Sequence, residues 1–155
     1  MTRSLRILLV EDSPSDVRLI REALKDTLIQ VQLIVARDGI EATDYLQKSD
    51  ADTSTRPDLI LLDLNLPRKN GREVLAEVKA SPTLKQIPIL VMTSSRSDDD
   101  IAQAYALNAN CFITKPGDLE EYQNVVKAIG DFWFVAATLP DFLRTPGSTP
   151  LAMGS

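Results

Sequence analysis

Four runs of apolar residues each end on a group able to do chemistry: "RILLVED" on Glu11 and Asp12, "LILLD" on Asp63, "PILVMTS" on Thr93 and Ser94, and "CFITK" on Lys115. If the runs are neighbouring strands, Glu11, Asp12 and Asp63 converge, and nearby carboxylates repel one another unless a cation or protons intervene. A hard divalent ion relieves that repulsion. Magnesium takes oxygen ligands in an octahedron and keeps several waters, so a few carboxylates and a backbone carbonyl suffice. Asp63 then has an oxygen free to act as a nucleophile. An aspartate can attack a phosphoryl group to form an acyl phosphate while a metal and a lysine offset charge on the transferring oxygens, contacts that Lys115 and Thr93 would supply.

The composition points the same way. The 155 residues contain no histidine, which removes serine-hydrolase triads, imidazole acid/base chemistry and most zinc sites. With 22 acidic against 17 basic residues the net charge is -5, and such a surface repels phosphate backbones and anionic lipid, so neither nucleic acid nor membrane is an expected partner. No apolar run approaches the roughly 20 residues that cross a bilayer. Cys111 is the single cysteine and no charged-then-apolar leader opens the chain, so a reduced, cytoplasmic location is expected. An apolar fraction of 44% is enough for one well-buried core.

Five runs, "RILLV", "VQLIVA", "DLILLD", "PILVM" and "NCFIT", alternate with segments whose apolar residues recur at helical spacing, the βα alternation of a parallel sheet. Unalternating apolar stretches such as Leu59 to Leu62 suit strands covered on both faces. Ser13 and Asp38 each stand three residues before an acid, a helix-start pattern, and "SDDDI" stacks acids at the positive end of another helix. The spacing predicts buried faces of Val17, Ile20 and Leu24 in the first helix, Ile40, Tyr45 and Leu46 in the second, and Val74, Leu75 and Val78 in the third. Ligands of open α/β sheets bind beyond the carboxyl ends of the strands, where all the groups named above stand. One domain over residues 1–143 is expected, with 144–155 a disordered tail.

The set "VEDS", "LLDLNLP", "VMTSS" and "FITKP", in this order, resembles the receiver domain of two-component response regulators, over about residues 5 to 130. The resemblance implies a flavodoxin-like, doubly wound five-stranded parallel sheet of order 2-1-3-4-5. It also implies a phosphoryl group accepted on Asp63 from the phosphohistidine of a sensor histidine kinase. Glu11 and Asp12 would hold magnesium together with Asp63 and the backbone carbonyl of Asn65. Thr93 and Lys115 would bind the phosphoryl group, and Phe112 would be the aromatic switch coupled to Thr93. Such a protein is a phosphoacceptor that catalyses at most its own phosphotransfer and dephosphorylation, not an enzyme with a separate substrate. The segments "NGREVLAEVKASPTLKQIPIL" and "DFWFVAATLP" are further similar to the single-domain regulators that partner cyanobacterial and bacterial phytochromes. Ser94, where family members commonly carry alanine or glycine, and Asn65 depart from the pattern.

Other readings stand beside this one. Asp63 alone could be a turn residue, and Phe112 could be only a core aromatic. A flavodoxin-type module would need a donor-rich loop where "EDSPSD" is acidic. A haloacid-dehalogenase-type phosphatase would want an acid where Asn65 stands. A receiver fold kept as a non-phosphorylated scaffold remains open. After the fifth helix only about 20 residues follow, too few for a DNA-binding domain, so output is expected through phosphotransfer, docking or dimerisation. Phe132, Trp133 and Phe134 are consecutive and span roughly 200° of a helix, more than one sheet can cover. The face Leu119, Tyr122, Val126, Ile129 and Trp133 is expected to be buried, and a homodimer is expected through the extended end of this helix, with Leu139 and Phe142 beyond it. The alternative is that Gly130 breaks the helix and folds the aromatics back onto the core.

Overall fold

Strands that are apolar on both faces need cover on both faces, and the chain supplies it. The computed structural model describes residues 4–27 and 30–140. Strands β1 (Leu5–Val10), β2 (Val31–Ala36), β3 (Leu59–Leu62), β4 (Ile89–Thr93) and β5 (Cys111–Thr114) form one parallel sheet of order β2-β1-β3-β4-β5, as expected. Every residue of β3 and β4 is buried. Helices α2 (Gly39–Ala51), α3 (Gly71–Ala80) and α4 (Asp98–Ala106) cover one face, where Leu8, Val10, Ile60, Leu62, Val74 and Leu75 pack together. Helices α1 (Pro14–Lys25) and α5 (Leu119–Ile129) cover the other, with Ile7, Leu9, Leu61, Ile20, Tyr122 and Val126 in contact. No helix among the described residues is long and apolar enough to cross a membrane.

The strand register brings the polar groups to one edge. Val10 pairs with Leu62, so Glu11 and Asp63 leave the sheet side by side, and Thr93 pairs with Thr114, so Lys115 leaves one residue beyond Thr93. The amide of Asp63 donates to the Val10 carbonyl (3.0 Å) and that of Lys115 to the Thr93 carbonyl (2.8 Å). These backbone bonds fix where each functional side chain starts.

The helix starts follow the local sequence. Ser13 accepts from the Asp16 amide and Asp38 from the Glu41 amide, satisfying donors that a helix N-terminus leaves free. Asn70 and Glu73 form a reciprocal capping box that the sequence reading passed over. Two inward assignments are corrected. Ile40 is 39% exposed because α2 turns Ala42, Thr43 and Leu46 to the sheet instead. Leu119, at the open first turn of α5, is also exposed, and the buried face begins at Tyr122.

Glycines seal the loop that follows β3. A Cβ on Gly71 would lie 2.2 Å from the Asp63 carbonyl oxygen and 2.6 Å from Leu64 Cα, and one on Gly39 would lie 2.1 Å from the Lys69 carbonyl oxygen. Both glycine amides donate into this loop, Gly71 to Leu64 at 3.0 Å and Gly39 to Lys69 at 3.1 Å. Arg68 adopts a positive φ of 65° within it, and its guanidinium meets Asp38 at 3.1 Å.

Gly130 does not break the last helix. Its φ of -63° and ψ of -46° are helical, and the chain runs on as a π-helical segment, Gly130–Ala136, closed by the Ala137 amide donating to the Phe132 carbonyl at 2.6 Å. The π-helix bonds i to i+5, so its wider turn redistributes side chains. Trp133 and Phe134 pack on the core cluster of β1 and α5, whereas Phe132 is 56% and Val135 70% exposed. The helix extends through Gly130, and two of its three aromatics still fold onto the core. Phe132 stands edge-on to Trp133, 5.2 Å between ring centroids. Phe142, the segment 144–155 and the boundary at 143 lie outside the described residues.

Gly71→Ala should destabilise the fold by about 1–3 kcal/mol, the usual range for overpacking, because the methyl meets backbone that cannot turn away. A lower urea midpoint at unchanged slope would register it.

Candidate functional site

The strand ends gather a polar cluster. One carboxylate oxygen each from Glu11, Asp12 and Asp63 lies within 4.8 Å of the other two. Glu11 and Asp63 are buried and Asp12 is exposed. The Lys115 ammonium sits 2.8 Å from Glu11 Oε1, 3.0 Å from Asp16 Oδ2 and 3.0 Å from Asp63 Oδ2. The other oxygens are also engaged: Glu11 Oε2 accepts from the Ser13 amide at 3.1 Å, and Asp63 Oδ1 from the Asn65 amide at 3.1 Å. The Asn65 side-chain amide donates to the Thr93 hydroxyl at 3.4 Å, and Thr93 is fully buried.

Charge is unevenly balanced here, with one ammonium facing the carboxylates of Glu11, Asp16 and Asp63. Burial pushes the Glu11 carboxyl up to about 7, with the neighbouring Asp63 charge adding to the rise and hydrogen bonds from Lys115 and the Ser13 amide opposing it. Burial alone would lower Lys115, but its hydrogen bonds to Glu11, Asp63 and Asp16 more than offset this and hold its proton firmly. Burial would likewise raise Asp16, yet Lys115 and the Tyr122 hydroxyl bring it below the usual carboxylate range. Burial, then the bond to Asp16, raises Tyr122. Burial favours the neutral form of Glu11, and a nearby positive charge would favour the ionised one. The all-oxygen donor set, with Asp12 open to solvent, suits a hard divalent ion that keeps part of its water shell.

Glu11, Asp12, Asp63, Asn65, Thr93 and Lys115 are thus brought together as the sequence suggested. Phe112 is not in this cluster: it packs against the core beneath α4, and its amide donates to the Tyr105 hydroxyl at 3.1 Å. Ser94 is exposed. Phe132, Trp133 and Phe134 lie beyond α5. Two members were missed. Asp16 was read only as the acid of a helix start, although the first turn of α1 carries it back over the strand ends. Tyr122 was read as one more residue of an apolar face, although its buried hydroxyl donates to Asp16 Oδ1 at 3.0 Å. The polar tip of a tyrosine, which needs a partner when buried, was the available signal.

Comparison with known proteins agrees with this geometry. Residues 7–127 match the response regulator receiver domain. The chain is 50% identical over 135 residues to the response regulator Rcp1 of Synechocystis sp., covering 86% of this chain and 92% of that protein. Its fold superposes on the phosphorylated cyanobacterial phytochrome response regulator RcpA with a TM-score of 0.83 at 50% identity, over 90% of this chain and 100% of that one. It also superposes on the Mn2+-bound form of Rcp1 with a TM-score of 0.80 at 48% identity, over 88% and 99% of the two chains. Strand order, the acidic edge and these likenesses together make the chain a member of the response regulator receiver domain family.

Proposed function

We propose that the chain is a phosphorelay regulator that takes a phosphoryl group on Asp63 from the phosphohistidine of a sensor histidine kinase, of phytochrome type. The observation that carries this reading is the buried Asp63 carboxylate at a strand end, with Glu11 and Asp12 oxygens within 4.8 Å and the Lys115 ammonium at 3.0 Å. An Asp63 oxygen attacks phosphorus, the P–O bond forms as the donor's P–N bond breaks, and the freed imidazole takes a proton from solvent. Water later cleaves the acyl phosphate to the carboxylate and inorganic phosphate. The chain catalyses these steps on itself and on no separate substrate.

Glu11, Asp12, Asp63 and the Asn65 carbonyl would hold magnesium, which when bound neutralises charge on the phosphoryl oxygens. Lys115 contributes a second positive charge. The Thr93 hydroxyl, turning from Asn65 to a phosphoryl oxygen, would leave room for Phe112 to move inward, a shift between two pre-existing arrangements. Residues 1–143 act as one receiver domain in this reading, in the cytoplasm, with no nucleic acid or membrane partner. Phe132 and Val135, exposed on consecutive turns of the last helix, form the apolar contact of a homodimer, while Trp133 and Phe134 brace it from the core side.

Incubation of the whole chain with magnesium and a small phosphodonor should add one phosphoryl mass, and Asp63→Asn should fold yet gain none. A wild type that never gains this mass would leave only an interaction scaffold. Divalent affinity by calorimetry should fall as pH drops through about 7, because protons compete with metal for Glu11. Asp12→Ala should weaken affinity on both sides of that pH. In sedimentation at micromolar concentration the wild type should be a dimer and Phe132→Glu/Val135→Glu a folded monomer; a monomeric wild type rejects the dimer.

A further inference from the structure

Asp16 belongs neither to the carboxylates placed around the metal nor to the groups placed on the phosphoryl oxygens, yet it holds the lysine as closely as Asp63 does, 3.0 Å in each case. An ammonium has three donors on a flexible stem and no acceptor, and all three donors of Lys115 are matched, by Glu11, Asp16 and Asp63. A cation taking Glu11 and one oxygen of Asp63 would repel the ammonium and compete for two of its partners. Asp16 is then the carboxylate partner that stays with the lysine alone.

Its own placement is unusually well determined. The first turn of α1 fixes its backbone, with the Asp16 amide donating to Ser13 Oγ at 3.3 Å. Its second carboxylate oxygen is taken by the hydroxyl of Tyr122 on α5. Tyr122 is fully buried, so that hydroxyl has little freedom to follow a wandering carboxylate. A chain of contacts from Tyr122 through Asp16 to Lys115 therefore reaches the phosphoacceptor.

We infer that Asp16, anchored by Tyr122, is a positioning residue for phosphoryl transfer: it keeps the Lys115 ammonium beside Asp63 when the divalent cation is bound. The inference rests on Asp63 being the phosphoacceptor. Asp16→Asn keeps the shape but turns an amide toward the ammonium or gives up the charge that draws it. Tyr122→Phe keeps the core ring and removes the anchor.

The test measures phosphorylation of the full chain by acetyl phosphate at saturating magnesium, as a function of donor concentration, alongside magnesium affinity and thermal midpoint. Asp16→Asn should lower the maximal rate about tenfold, the scale expected when a catalytic group is misplaced by a fraction of an ångström. The half-saturating donor concentration and magnesium affinity should stay within about twofold. Tyr122→Phe should move the maximal rate in the same direction by less. A purely structural role would lower the thermal midpoint and leave the rate of the folded protein unchanged, which would overturn the proposal, as would an equal fall in magnesium affinity and rate. If Asp16→Asn does not fold, a folded Tyr122→Phe with wild-type maximal rate is sufficient to reject it. A labelled wild type with a normal Asp16→Asn defeats this inference alone, whereas an unlabelled wild type defeats the reading of Asp63 and this inference with it.

Discussion

An ammonium facing three carboxylates at the end of an apolar sheet is an interaction that cannot be weakened without consequence. Near a protein surface two unit charges at about 4 Å interact by roughly 4 kcal/mol, several times more than in bulk water. Lys115 makes three such contacts at 3.0 Å or less. Take the lysine away and Glu11, Asp16 and Asp63 are left with like charge and little solvent. Leave it in place and burial, with the Asp63 charge adding to it, still raises the Glu11 carboxyl to about 7. The edge is thus stable enough to fold and electrostatically incomplete, a combination that favours binding of cations.

The rest of the molecule can be understood as the means of holding that imbalance still. Backbone pairing sets Glu11 beside Asp63 and Lys115 one residue past Thr93. Apolar cover on both faces fixes the strands from which Glu11 and Asp63 emerge. Gly71 lets α3 start directly against the Asp63 carbonyl, so the residue bearing the attacking oxygen has backbone packed behind it. None of these features touches the chemistry directly, but each restricts the freedom of a group that does.

The five strands and the polar groups at their ends were legible in the sequence because local rules and tertiary demand agree there: unalternating apolar runs require burial, and polar residues just after them must emerge at an edge; the order of the strands came from the family resemblance. What escaped depended on information that is not local. Ile40 fits a helical stripe, but α2 buries Ala42, Thr43 and Leu46 instead, with Gly39 at its start lying against Lys69. Asp16 and Tyr122 are 106 residues apart, and nothing in the spacing of either announces the other. The π-helical turn at Gly130–Ala136 is a departure from the period on which the reading of faces relied: Phe132 stays exposed, while Phe134 packs on the core.

One further consequence follows from the position of β5. It is one of the two edge strands, bonded to β4 on one side only, and outer strands tend to open at lower free-energy cost than central ones. This strand carries the lysine. Local fraying there would therefore withdraw the site's fixed positive charge before it exposed much apolar surface, leaving Glu11 and Asp63 on inner strands with their mutual repulsion uncovered. Opening of the margin and the protonation state of the centre are in this way parts of a single equilibrium, and a counter-ion that binds the centre makes the loss of that charge less costly.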